Sequence, residues 1–82
     1  MKIKKSEKKK EYYTLVFALG KAINQAKEAS LGTDHRVFRS VKLKDKAFSE
    51  AGFTVNSDGN ISMVSVKISF DDLISEKWEI VE

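Results

Sequence analysis

The sequence of 82 residues contains no cysteine and no proline, and it has a single histidine. Without cysteine, the chain has no disulfide and no thiolate ligands for a structural zinc site or an iron–sulfur cluster. No apolar run approaches the ~20 residues that a membrane-spanning helix needs. The N-terminal lysines are not followed by the apolar segment of a secretory signal. We therefore expect a protein of a reducing cytoplasm, with no cofactor, no metal site and no membrane contact.

Charge is distributed unevenly along the chain. The 15 basic and 12 acidic side chains give a net charge of +3. Residues 1–10 hold six lysines and one glutamate, a net charge of +5, which leaves −2 for the other 72 residues. We expect residues 1–10 to be a disordered basic tail and residues 11–82 to form a single domain. The tail is interpreted either as a solvated end or as an arm that binds nucleic acid.

The small size of the chain bears on its oligomeric state. A domain of this length buries only about 60–65% of the surface that its unfolded chain exposes, so its stability margin is thin. Disulfides and structural metals, which often stabilise such small domains, are not expected here. We therefore expect the chain to associate with copies of itself.

An amphipathic helix is predicted over residues 11–31. Its apolar positions recur every three or four residues, as expected for one face of a helix; they are Tyr12, Val16, Leu19, Ile23 and Ala26. Gly20 within this helix is less favourable than alanine and is interpreted as a point of close approach for another element. Gly32 is expected to end the helix.

After the helix, the pattern changes to the two-residue alternation of a strand. Val37, Val41 and Leu43 share one face of the segment 36–44, and Arg39 falls among them as an exception. Residues 45–51 predict a turn or a short helix that Gly52 closes.

The remaining segments predict more strands and a helix start. Phe53–Val55 forms a short strand, and residues 57–60 form a hairpin turn in which Gly59 accepts a positive φ. Residues 61–70 alternate for ten positions and predict the longest strand. Ser69 is expected to cap a short helix, and residues 77–81 a final strand. The fold class is α+β, with one long amphipathic helix packed on a small, mostly antiparallel sheet.

Catalytic chemistry has little support in the sequence. The neighbouring carboxylates of Asp71 and Asp72 are interpreted as residues in the first turn of a helix, where its dipole favours acids. His35 has no serine or cysteine nucleophile motif near it. The four glycines are scattered, so no phosphate-binding loop is predicted. We expect that the protein is not an enzyme.

Basic side chains gather in the segment 35–46, around Phe38. Guanidinium groups bind phosphate in a bidentate manner and aromatic rings stack on bases, which favours an anion or nucleotide site. The same pattern is typical of a solvated outer strand that lysines protect, and both interpretations stay open. Arg39, on the apolar side, needs a partner; the candidates are a carboxylate of Asp71, Asp72 or Glu79, or a ligand. Trp78 is interpreted as a core or interface residue, with ligand stacking as the alternative.

The C-terminal third contains three short motifs: Asp58-Gly59 in the hairpin turn, Asp72-Leu73-Ile74 in a turn of helix, and the ending Trp78-Glu79-Ile80-Val81. In these motifs it resembles the ending of the Thoeris anti-defence type-2 family of small phage proteins, which has a hairpin "DG", a leucine turn and a tryptophan strand. The opening helix of the family is matched by residues 11–31. The resemblance covers residues 57–82; elsewhere the chain departs, with a lysine-rich extension and no tryptophan after the first helix.

The resemblance implies a phage anti-defence protein of the host cytoplasm that sequesters a cyclic nucleotide-like immune signal without turning it over. It also implies a homo-oligomer with pockets between subunits. On this hypothesis the phosphates are held by Arg36, Arg39 and Lys42, and the bases stack on Phe38, Trp78 or Tyr12. The alternative is a small basic phage protein that binds nucleic acid or inhibits a host protein, with the lysine-rich tail supplying affinity for nucleic acid.

Overall fold

A computed structural model describes residues 11–81. The predicted disordered tail, residues 1–10, lies outside the described residues. The elements are α1 (Leu15–Ser30), β1 (Phe38–Leu43), β2 (Gly52–Asn56), β3 (Ile61–Met63), α2 (Phe70–Leu73) and β4 (Trp78–Val81). The four strands form one antiparallel sheet in the order β3-β2-β1-β4. The predicted α+β class is confirmed. No helix within residues 11–81 is long and apolar enough to cross a membrane.

The core lies between α1 and one face of the sheet. The helix contributes mostly small side chains to it, since Ala18, Ala22 and Ala26 are fully buried. The sheet contributes larger ones, and the largest that are fully buried are Trp78, Val41 and Val55. Alanines on the inner face let the helix backbone come close to the sheet, where the bulky strand residues fill the space between them.

The start and the rotation of α1 differ from the prediction. The helix begins at Leu15 rather than at residue 11, because the backbone of Tyr13 pairs in both directions with that of Trp78 (2.8 and 3.0 Å). Thr14 then caps the helix, its hydroxyl accepting a hydrogen bond from the Phe17 N–H (3.3 Å). Of the predicted apolar face, Ala26 is fully buried and Leu19 and Ile23 pack against the core, but Val16 is 81% exposed. Ala18 and Ala22 complete the side of the helix that packs on the sheet.

The connection from β1 to β2 is a turn, which is one of the two predicted alternatives. Its backbone closes on Ala47, whose carbonyl accepts hydrogen bonds from the N–H groups of Glu50 and Ala51 (2.9 and 3.0 Å). Gly52 does not close a helix but begins β2. A Cβ atom at this glycine would collide with the backbone oxygen and the ring of Phe48, so the close approach requires glycine.

The hairpin after β2 is confirmed, and Gly59 in its turn has a φ of +90°. The prediction that residues 61–70 form the longest strand is wrong, because β3 contains only three residues. β2 begins at Gly52, so β3 has no strand to pair with beyond that residue. Gly52 accepts a hydrogen bond from the Val64 N–H (2.9 Å) and donates one to the buried Ser65 hydroxyl (3.3 Å). The chain bends after this point.

The C-terminal elements agree with the sequence. The Ser69 hydroxyl caps α2 by accepting a hydrogen bond from the Asp72 N–H (3.1 Å). β4 then pairs with β1 and places Trp78 opposite Leu43.

Candidate functional site

A polar groove lies at one end of the sheet, between the α1–β1 loop and the β2–β3 turn. Its volume is about 480 Å³, and its lining carries hydroxyl, carboxylate, imidazole and guanidinium groups from Ser30, Thr33, Asp34, His35, Arg36, Ser57 and Asp58. This volume is within the roughly 300–1,000 Å³ of small-molecule sites, although such sites are usually more apolar. We define these seven residues as the polar groove.

Both walls of the groove are fixed by short-range hydrogen bonds. In the loop, the Thr33 hydroxyl accepts from the His35 N–H (2.9 Å) and donates to the His35 carbonyl (3.2 Å). In the turn, Asn56 is buried and its side-chain oxygen accepts from the N–H groups of Asp58 (2.8 Å) and Asn60 (3.2 Å). Each wall therefore has a defined shape.

Ser57 joins the two walls. Its backbone N–H donates to the Val37 carbonyl (2.9 Å), and its hydroxyl accepts from the Val37 N–H (3.1 Å). This pairing continues the β1–β2 ladder one step beyond Phe38, so the chain is extended from Arg36 into β1. In an extended chain, residues two apart point to the same side. The side chains of Arg36 and Phe38 therefore leave the sheet on one side.

Arg36 is the basic residue of the groove. Its Nε lies 2.7 Å from Oδ2 of Asp58, and both side chains are more than half exposed. Within residues 11–81 the two terminal guanidinium nitrogens have no hydrogen-bond partner. Asp58 thus orients the guanidinium and leaves its terminal nitrogens free for an external anion.

Phe38 and Lys42 occupy the sheet face that α1 does not cover. The Phe38 ring is 53% exposed. Lys42 is engaged internally: its Nζ lies 3.6 Å from a carboxylate oxygen of Glu79 and donates to the Leu43 carbonyl (2.8 Å). Phe38 is therefore available for stacking, whereas Lys42 already has partners.

Arg39 lies on the other face of the sheet, the side that carries α1. Its Nη1 donates to the carbonyl of Phe38 (3.0 Å), and its Nε is buried with no hydrogen-bond partner among residues 11–81. No carboxylate within residues 11–81 lies in ion-pair range of it. Of the three predicted protein partners, Asp72 is paired with Lys46 and Glu79 with Lys42. The third, Asp71, is exposed on α2. Arg39 is thus separated from Arg36 by the sheet.

The two remaining predicted residues lie at the far end of the sheet. Trp78 is fully buried, with its ring edge-on to Phe53 at 5.7 Å, so it presents no ring face to a ligand. Trp78 is therefore a core residue, as one of the interpretations of the sequence had it. Tyr12 is half-buried, and the Lys44 amine lies 5.2 Å from its ring centre. Lys44 is six residues of extended chain from Phe38, which is about 20 Å. Tyr12, beside Lys44, is therefore far from Phe38.

Of the six predicted binding residues, only Arg36 lines the polar groove. Phe38 lies two residues further along the chain, on the same side of the sheet. The sequence had shown the 57–60 segment only as a turn, and it gave no sign that its Asp58 meets Arg36. Among residues 11–81, no group of three or more acidic or histidine side chains is placed to hold a metal ion.

Comparison with known proteins finds no match for the chain among family models, curated proteins or solved structures. The resemblance of residues 57–82 to the anti-defence family therefore stays a prediction.

Proposed function

We propose that this chain is a non-catalytic binding protein that sequesters a small, phosphorylated, nucleotide-like molecule in the polar groove. The observation that carries the proposal is the Arg36 guanidinium. It is oriented by Asp58, open at its terminal nitrogens, and placed on the same side of the sheet as the exposed Phe38 ring. A cation and an aromatic ring about 7 Å apart along the chain suit a phosphate and a base of one ligand.

The hydroxyl groups of the groove suit the sugar of such a ligand. The hydroxyls of Ser30 and Thr33 donate within the chain and offer their oxygens as acceptors, and the Ser57 hydroxyl, which accepts from the Val37 N–H, offers a donor within the same 480 Å³. The carboxylates of Asp34 and Asp58 repel a highly charged polyphosphate, so a ligand with few phosphate charges, such as a cyclic nucleotide derivative, fits the groove better. The family resemblance points to the same ligand class and to an anti-defence role in a phage.

The alternative, a protein that binds nucleic acid along the 36–46 segment, has less support. Arg36, Lys42 and Lys46 are each paired with an acid (2.7, 3.6 and 2.8 Å). Pairing lowers the number of cations free to replace counterions on a phosphate backbone. Inhibition of a host protein is the other alternative.

Isothermal titration with cyclic ADP-ribose isomers and cyclic dinucleotides tests the proposal. We expect binding of at least one of these compounds, and roughly 10- to 100-fold weaker binding by the Arg36→Ala variant, the effect of losing a charged hydrogen bond. Lys77→Ala, an exposed cation at the far end of the sheet, is the matched control and should bind as the parent does. No heat with any compound, or full binding by Arg36→Ala, contradicts the proposal.

Deletion of residues 1–10 separates the proposal from nucleic-acid binding. A chain that holds its ligand in the polar groove keeps its affinity after the deletion. A nucleic-acid binder that uses the lysines loses affinity and most of its salt dependence.

A further inference from the structure

The short helix α2 exposes its apolar side chains. Phe70, Leu73 and Ile74 are 72%, 40% and 59% exposed. Their spacing of three and four residues places them on one side of a helical turn. We call these three residues the α2 face. A contiguous exposed apolar surface of this kind is typical of an interaction site.

The polar side of α2 is the side that holds it to the domain. The Asp72 side chain is only 14% exposed and its carboxylate bonds the amine of Lys46 (2.8 Å). Its carbonyl accepts a hydrogen bond from the indole of the buried Trp78 (2.9 Å). The side-chain contact with Lys46 lies on the polar side, and together with the backbone contact to Trp78 it holds α2 with the α2 face outward.

A second apolar surface lies on the outer side of α1. Val16 and Phe17 are 81% and 57% exposed, and with Gly20 they line a groove of about 420 Å³. A Cβ atom at Gly20 would meet no atom of residues 11–81 within 4 Å. Glycine is unfavourable inside a helix, and no contact in this described part of the chain requires it. We call Val16, Phe17 and Gly20 the α1 groove.

The two surfaces carry complementary charge. Asp71 and Glu76 are exposed beside the α2 face, and the segment 69–76 contains no basic residue. Lys21 lines the α1 groove and is exposed, with its amine 5.9 Å from the Tyr13 ring. The α2 face is thus an apolar projection with an acidic rim, and the α1 groove is an apolar depression with a basic rim.

We propose that the α2 face docks into the α1 groove of a second copy of this chain. A second copy is the partner that the charges indicate, because the chain itself carries both halves of the contact. A pair related by a two-fold axis makes the contact twice, since each chain offers one projection and one groove. This inference does not depend on the ligand proposed for the polar groove.

Sedimentation velocity of the full chain and of single variants tests the docking surface. The parent chain is expected to associate. Ile74→Lys, on the α2 face, and Phe17→Lys, in the α1 groove, should each weaken association at least tenfold. Leu31→Lys is the matched control: Leu31 is 78% exposed, at the end of α1, outside both surfaces. It should associate as the parent does. A monomeric parent chain, or unweakened association of both variants, overturns the proposal.

Mixing the two variants gives the decisive result. The Ile74→Lys chain keeps its α1 groove and the Phe17→Lys chain keeps its α2 face, so the mixture regains one of the two contacts. We expect a mixed dimer in an equimolar mixture at concentrations where each variant alone is monomeric. Its formation also shows that both variants are folded. No mixed dimer, as expected if two α2 faces meet each other, overturns the proposal.

Exchange of the charges beside the two surfaces tests whether the acidic rim of the α2 face meets the basic rim of the α1 groove. Lys21→Glu should weaken association, and the double variant Lys21→Glu, Glu76→Lys should restore it. Failure of the double variant to associate more tightly than the single variant contradicts the pairing of these two rims.

Discussion

The two helices differ in the side chains that they turn toward the protein interior, which are apolar on α1 and polar on α2. α1 buries small apolar side chains such as Ala22 against the sheet and leaves its polar residues outside. α2 turns the Asp72 carboxylate inward and leaves Phe70 and Ile74 in solvent. Apolar side chains on the inner side of α1 stabilise the fold. Those in solvent, on α2 and at Val16 and Phe17 on the outer side of α1, are the ones that we propose for association.

The largest effect should come from matched leucine-to-alanine changes in the two helices. Leu15 of α1 is 8% exposed and Leu73 of α2 is 40% exposed. Leu15→Ala leaves a cavity in the core and should lower the free energy of unfolding by about 2–5 kcal/mol. Leu73→Ala should cost less than about 1 kcal/mol, because its side chain is already partly in water. Urea denaturation at a concentration where the chain is monomeric measures both, and equal losses would contradict the comparison.

A pair of glycine-to-alanine changes should give effects of opposite sign. Gly52→Ala places a Cβ atom 2.5 Å from a ring carbon of Phe48 and also against its backbone. We expect a loss of about 1–3 kcal/mol, as for an overpacked core. Gly20→Ala meets no neighbour within the domain and should raise the stability of the monomer by up to about 1 kcal/mol. Thermal unfolding of the two variants checks both signs; a destabilised Gly20→Ala monomer would show a neighbour that the structure does not contain.

A smaller effect should follow from loss of the cap on α2. Ser69→Ala removes the acceptor for the Asp72 N–H and should cost about 0.5–2 kcal/mol, the usual range for such a cap. Thr14→Ala is the matched change at α1 and should cost a similar amount. If α2 is needed for docking, Ser69→Ala also weakens self-association, whereas Thr14→Ala leaves it near the parent value. Sedimentation velocity separates the two.

The smallest effect concerns pH. The hydrogen bond and charge of Asp72 raise the pKa of Lys46 above its ordinary 10.5. A raised pKa in the folded state means that the stabilisation is fully present below about pH 10.5 and is lost as the pH rises through the folded value. Lys46→Gln should therefore lower stability slightly at pH 7, and its difference from the parent should shrink above pH 10.5. Urea denaturation across this range measures the difference; a gap that widens at high pH would contradict it.

Much of the fold was accessible from the sequence. Local signals predicted the hairpin at Gly59, the Ser69 cap and the final strand, because turn and cap preferences depend on neighbouring residues alone. The length of β3 was not predictable in this way. It depends on where β2 begins and on the Ser65 hydroxyl that accepts from the Gly52 N–H, and the alternation of residues 61–70 contains no information about either.

The candidate site was harder to predict from the sequence than the fold. Basic residues that lie together in the sequence were predicted to act together, but their acidic partners come from distant segments. Alternation along β1 also places Arg36 and Arg39 on opposite sides of the sheet. The sequence identified Arg36 and Phe38, whereas the groove around Arg36 exists only because the 57–60 turn folds back beside the α1–β1 loop.

Self-association through the α2 face and the α1 groove is tested most directly by the mass of the unmodified chain in solution, measured by native mass spectrometry or sedimentation equilibrium over a range of concentrations. We expect the mass to rise above the 9.3 kDa of one chain to a defined multiple as the concentration increases. A chain that stays at 9.3 kDa up to millimolar concentration would contradict it, because the α2 face and the α1 groove would then remain uncovered.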